Sequence, residues 1–139
     1  SPIGMAAWML DHDADSYGKI SKAFLDGKPT GGLTRDHVLD NITLYWLTNT
    51  STSAARLYWE NYQNILAALS GGPKPPDIKV PTGFTVFPQE LFPTPRTWAE
   101  KVYPNLVYYN DAPKGGHFAA WEEPQIFSEE LRNSFRSVR

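Results

Sequence analysis

Apolar residues recur along this chain in two rhythms, and the change falls near residue 79. The first rhythm is helical. Ser1 offers a hydroxyl N-cap and Pro2 suits the first helical position, so Ile3, Met5, Ala6, Trp8, Met9 and Leu10 read as an apolar helix. Residues 26–33, "DGKPTGGL", predict a loop. Thr34 is placed to cap a second helix, along which Val38, Leu39, Ile42, Tyr45 and Trp46 keep helical spacing. "TNTSTS" interrupts that helix and supplies the next cap. A third helix is predicted from Ala54 to Leu69, with Tyr58, Tyr62, Ile65 and Leu69 along one face. "SGGPKPPDIK" then ends it as a Pro/Gly linker.

The second rhythm alternates strands and helices. "VPTGFTVF", residues 80–87, reads as a buried strand. "TPRTWAEKVYP" has a Thr cap, proline in the first turn, and Trp98 and Val102 on one face, which predicts a short helix. "NLVYYN", residues 105–110, is a second strand. "EEPQIFSEELRNSFRSVR" is a final helix with Phe127, Leu131, Phe135 and Val138 on one face. Strand, helix, strand, helix implies an α/β fold with parallel strands. Two parallel strands alone make a poor sheet, so the chain is expected to complete a larger sheet supplied by another segment.

Composition narrows the classes of function. The chain has 139 residues, 41% of them hydrophobic, with 5 Trp, 7 Tyr and 7 Phe. This is one domain's length, or a piece of a larger one. The net charge of −2 and the scattered Lys and Arg argue against nucleic acid as a partner. With no cysteine, disulfides and thiolate metal sites are excluded. No apolar run approaches the ~20 residues of a membrane span. The tryptophans are expected mostly in the core, one or two of them lining an apolar tunnel.

Two loops carry candidate chemistry. After the first strand comes "PQEL" with Glu90, and after the second comes "DAPKGGH" with His117. Functional groups gather beyond the carboxyl ends of parallel strands. If the strands are neighbours, the two loops lie side by side at the ~4.8 Å strand spacing. A Glu90 carboxylate can then accept a hydrogen bond from His117, fixing its tautomer and leaving the other ring nitrogen as a base. Asp111 is a rival acid but leaves the same strand as His117 and would have to fold back. No nucleophile is evident: there is no G-x-S-x-G elbow and no cysteine.

Three segments, "NITLYWLTNTSTSAARLYWEN", "VPTGFTVFPQEL" and "GGHFAAWEEP", resemble the C-terminal part of epoxide hydrolases of the microsomal and juvenile-hormone type. The resemblance runs from "SPIGMAAW" to the last helix. It implies an α/β-hydrolase fold, with residues 1–75 as helical cap-region and connecting helices and residues 76–139 as the C-terminal part of the hydrolase core. It implies an Asp nucleophile that forms an alkyl ester, a His–acid pair that activates water to hydrolyse it, and tyrosines that hydrogen-bond the epoxide oxygen. By that resemblance His117 is the base, Glu90 the orienting acid and Tyr58, in "RLYWEN", one of the tyrosines. From spacing alone, Tyr58 reads as a core aromatic on its helical stripe with Tyr62 and Ile65. The nucleophilic Asp, the oxyanion loop and the other tyrosine are expected in an upstream segment or a second chain. The expected substrate is a small apolar epoxide, hydrated to a vicinal diol without cofactor or metal. A homo-oligomer is left open, and the expected location is cytoplasmic, with any membrane anchor upstream.

Two rival readings stay open: another hydrolase of this fold, such as an esterase with a Ser nucleophile, and a non-catalytic binding or scaffold fragment. Other features carry less. "DHDADSYGKISK" opens like a calcium loop, but Ser16 stands where glycine is needed and Lys22 where glutamate is, so a solvated acidic loop is expected. His12 and His37 lie among polar residues without a ligand-spaced partner. Asn41-Ile-Thr and Asn49-Thr-Ser match the glycosylation pattern by chance. "GPKPPD" is read as linker rather than as a polyproline ligand.

Overall fold

A computed structural model describes residues 1–72 and 78–139. The centre of the expected Pro/Gly linker, most of "GPKPPD" and the boundary expected between residues 75 and 76 lie outside the described residues. Helix α1 spans Pro2–Leu10, with the Ser1 hydroxyl accepting from the Gly4 N–H. Helix α2 spans Ala14–Leu25 and stands where a solvated acidic loop was expected. The physical reason is Asp13, whose extended backbone and side-chain bond to the Ser16 N–H make it an N-cap rather than an ion ligand. The apolar stripe of α2 is carried by Ile20 and Ala23, which the acidic run had masked.

Helix α3 spans Arg35–Leu47 with Thr34 as N-cap, as expected. Just past its C-cap Thr48, Asn49 takes the left-handed conformation (φ 55°) that asparagine tolerates better than most residues. The Thr50 N–H then returns to the Tyr45 carbonyl. Helix α4 spans Ser51–Leu69, starting three residues earlier than predicted. Ile20, Leu33, Val38 and Ile42 form the buried cluster of this helical part, with Ala6, Met9, Leu10, Phe24 and Trp121 packed around it. The stripe of α4 is not part of it: Tyr58, Tyr62, Ile65 and Leu69 are all exposed in this chain.

Strand β1 spans Thr82–Val86, helix α5 Arg96–Val102 and strand β2 Leu106–Asp111. The two strands pair in parallel, with Phe84 opposite Tyr109 and Val86 opposite Asp111. β1 is half-buried rather than fully buried. Pro95 itself occupies the cap position of α5, so Thr94 is not the cap. Ala99, not Trp98, is the residue that α5 buries. Trp8, Trp46, Trp59 and Trp98 all stand exposed, against the expectation of core tryptophans.

The chain closes with a short helix α6 (Ala119–Glu122), helix α7 (Pro124–Ser134) and a 3₁₀ turn (Arg136–Val138). The expected final helix begins at Pro124, which suits the first helical position, and gives way to the 3₁₀ turn after Ser134. The two faces of the strand pair carry different chemistry. Phe84, Tyr103 and Tyr109 form an aromatic set on one face. On the other, Thr85, Tyr108 and Asn110 all donate to Glu130 of α7 at 2.8–3.0 Å. The chain is thus of α/β type, and among the described residues each strand has a single partner.

Candidate functional site

Beyond the ends of β1 and β2 the pairing does not stop. Gln89 and Gly116 form a further parallel bridge. The Gln89 N–H donates to the Gly115 carbonyl at 3.0 Å, and the Gly115 N–H donates to the Gln89 side-chain oxygen at 2.9 Å. The two loops therefore leave the sheet in register, and the next residue on each is the acid and the histidine. This explains the paired glycines. Gly115 has a φ of 114°, and a Cβ there would come within 2.7 Å of the Phe87 ring. At Gly116 a Cβ would meet the Asp15 carboxylate at 2.9 Å and Glu122 at 3.2 Å.

His117 Nδ1–H donates to Glu90 Oε1 at 2.9 Å, with Oε2 at 3.2 Å. Burial alone raises the Glu90 pKa. The bond from His117, the Leu91 N–H and the nearby imidazoles outweigh it, so Glu90 sits below the usual glutamate range. An ionised carboxylate only accepts, which makes Nδ1 the donor and leaves Nε2 with the lone pair. Asp111 plays no part in this pair; its carboxylate is approached by the Tyr109 hydroxyl at 3.4 Å.

Sequence reasoning missed His12. Its ring stacks on that of His117, with centroids 3.7 Å apart and planes 17° from parallel. His12 Nδ1 is bonded to Asp13 at 2.9 Å. Burial raises Asp13, but the Ser16 N–H, His12 and the Ser16 side chain together pull it down to about 2. Phe118 meets the His117 ring edge-on at 5.1 Å. The usable signal was Asp13 as a helix cap, which sets His12 just before α2; only the tertiary packing brings that helix start to His117.

Glu90, His117 and His12 line one cavity of about 1030 Å³. Tyr58 lines it too, from α4, and packs edge-on against Trp8 at 5.8 Å. Trp8, Trp121 and Phe87 make much of the wall apolar. All three candidates named from the sequence therefore border the same space: an acid–imidazole pair whose side chains are 37% (His117) and 31% (Glu90) exposed, and one phenol. Such a set can take a proton at Nε2 and donate one from a hydroxyl, in surroundings that favour an apolar guest.

No family model matches the chain. Individual relatives do. A protein of Stigmatella aurantiaca (strain DW4/3-1) named "Putative epoxide hydrolase" is 45% identical over 141 residues, covering 100% of this chain and 29% of the relative. Epoxide hydrolase 1 of Sus scrofa is 37% identical over 95% of this chain and 29% of its own length. Juvenile hormone epoxide hydrolase 2 of Ctenocephalides felis is 35% identical over 94% of this chain and 28% of its own length. The chain thus spans less than a third of the relatives it matches. Over essentially every residue here, the chain is therefore homologous to a part of epoxide hydrolases of the microsomal and juvenile-hormone types.

Proposed function

We propose that this chain is the C-terminal portion of an α/β-hydrolase-fold epoxide hydrolase and contributes its hydrolytic half. In this reading residues 1–75 belong to the cap region and its connections, and residues 76–139 to the hydrolase core. His117 is the water-activating base, Glu90 its orienting acid and Tyr58 a donor to the epoxide oxygen. The nucleophilic Asp, the oxyanion loop and the second tyrosine come from sequence outside these residues. The observation that carries the reading is the Glu90–His117 bond at a cavity that Tyr58 also lines, in a chain whose relatives bear epoxide hydrolase names.

The chemistry runs in two halves. A carboxylate attacks an oxirane carbon, the C–O bond breaks, and its electron pair passes to oxygen. The developing alkoxide is stabilised by a phenolic O–H and takes up a proton, which is the role given to Tyr58. The product is an alkyl-enzyme ester. Nε2 of His117 then removes a proton from water as its oxygen adds to the ester carbonyl, and Glu90 stabilises the imidazolium through Nδ1–H. Collapse of the adduct releases the vicinal diol and restores the carboxylate, and the proton held by the imidazolium returns to the phenolate, so that both groups are reset. The apolar cavity wall favours a small apolar epoxide.

His117→Gln in the full-length protein tests this. Opening of the epoxide should proceed while hydrolysis stops, so incubation with styrene oxide should yield protein heavier by one substrate mass. Normal turnover by that variant, or no adduct on it, overturns the assignment.

A further inference from the structure

Within α6, next to the candidate site, lies a carboxylate for which the proposed reaction has no use. Glu122 is only 2% exposed, the most buried charged side chain among the described residues. A carboxyl group so placed is costly unless each oxygen finds a donor. Both do. Oε2 accepts the Gly116 N–H at 2.8 Å, and Oε1 accepts the Phe118 N–H at 3.2 Å. The two donors are the backbone amides on either side of His117. Lys19 of α2 donates to Oε2 at 2.5 Å and to Asp15 at 2.6 Å, so one ammonium joins Glu122 to the helix that begins at Asp13.

Glu122 is itself held by its main chain. Its carbonyl accepts the Gly32 N–H at 2.9 Å. Gly31 lies so close that a Cβ on it would overlap that carbonyl at 2.0 Å. The carboxylate is thus pinned from behind and reaches forward to the histidine loop. Glycine at 115 and 116 makes that loop pliable, so its geometry needs an external constraint.

We propose that Glu122, with Lys19 as its counterion, is a positioning residue for His117: by gripping the amides on both sides, it aims the imidazole at Glu90. It touches neither substrate nor the reacting atoms. This rests on the proposed role of His117, but the two can fail separately. A base misplaced by about 1 Å loses on the order of 10²-fold in rate. Lys19 also brings α2, and with it His12, against the same loop.

The test compares Glu122→Gln, Lys19→Met and Lys19→Arg with the parent full-length protein. The amide of Glu122→Gln has one acceptor oxygen and one donor nitrogen, so it cannot satisfy both flanking N–H groups. The first readout is the proton NMR signal of His117 Nδ1–H, which the Glu90 bond holds downfield and protects from exchange. It should broaden or be lost in Glu122→Gln and Lys19→Met and return in Lys19→Arg. The second is single-turnover kinetics: ester formation should stay within about twofold while ester hydrolysis slows by roughly 10²-fold. If Glu122→Gln does not fold, Lys19→Met carries the same comparison from outside the loop. An unchanged Nδ1–H signal in the folded variants overturns the proposal, whatever the enzyme's chemistry. Failure of His117→Gln to trap an adduct overturns the catalytic reading instead, and the NMR signal then decides the positioning claim alone.

Discussion

His117 is constrained on three sides by three kinds of interaction. Glu90 takes its Nδ1–H, the ring of His12 covers one face, and Phe118 meets its edge. Each has its own consequence when removed. Glu90→Gln leaves the imidazolium without its carboxylate and lets the amide favour the wrong tautomer. Ester hydrolysis should slow by on the order of 10²–10⁴-fold while ester formation is spared; rapid-quench measurement of both steps checks this, and an unchanged hydrolysis rate means another acid serves. Tyr58→Phe acts on the opposite half. It removes one hydroxyl donor from the cavity but keeps the ring that packs on Trp8. Ester formation should slow by about 10²-fold with hydrolysis unaffected. An unaltered rate of ester formation would return Tyr58 to a packing role.

At the scale of elements, α2 does more than cover the core. Its first turn is fixed by Asp13, which accepts the Ser16 N–H at 2.9 Å and also binds His12. Asp13 has its pKa depressed from 3.8 to about 2 in the folded protein. The unfolded chain binds the proton more tightly, so this contribution is complete above about pH 4 and is lost as pH falls through about 2. The depressed Glu90 acts in the same direction. Asp13→Ala should therefore cost about 1 kcal/mol at neutral pH, and the gap to the parent protein should shrink between pH 4 and pH 2. Urea midpoints at pH 7, 4 and 3 measure it; a gap that stays constant would mean the carboxylate is not the cap. Lys19 has the opposite sign. Burial lowers its pKa, but Asp15 and Glu122 raise it above 10.5 overall, so its contribution holds below that pH and fades as alkali deprotonates it.

Across the whole molecule, two surfaces lack cover. The strand pair has an open edge on each side among the described residues. Helix α4 presents Leu57, Trp59 and Leu69 to solvent, each more than 60% exposed, and Leu47 and Phe92 are bare as well. A sheet edge and an apolar helix face of this extent favour association. Expressed alone, residues 1–139 should bind the dye ANS strongly and elute larger than a monomer in size exclusion. A cooperative melt of a dye-silent monomer would contradict the inference that further chain covers these surfaces. No helix of the described residues is long and apolar enough to cross a membrane.

Local chemistry made the elements legible. Ser1 and Thr34 act as the helix caps their hydroxyls suggested, and the strand–helix alternation after residue 79 gave two parallel strands. The positions of Glu90 and His117 just past those strands followed from the same order, because strand exits fall on one edge of a parallel sheet. Where the reading failed, two local signals competed or the deciding partner was distant. The aspartates at 11–15 outweighed the weaker stripe of α2. The amino-acid sequence by itself determined which residue types stand at the strand ends and that the chain alternates as an α/β fold. Only the tertiary structure decided that His12 lies on His117 and that Lys19 of α2 reaches the buried Glu122 carboxylate. Those contacts span about a hundred residues, and no local rule of spacing or propensity reaches across a fold. They exist because α2 docks beside the loop, and docking is settled by packing and by the pairing of buried charge.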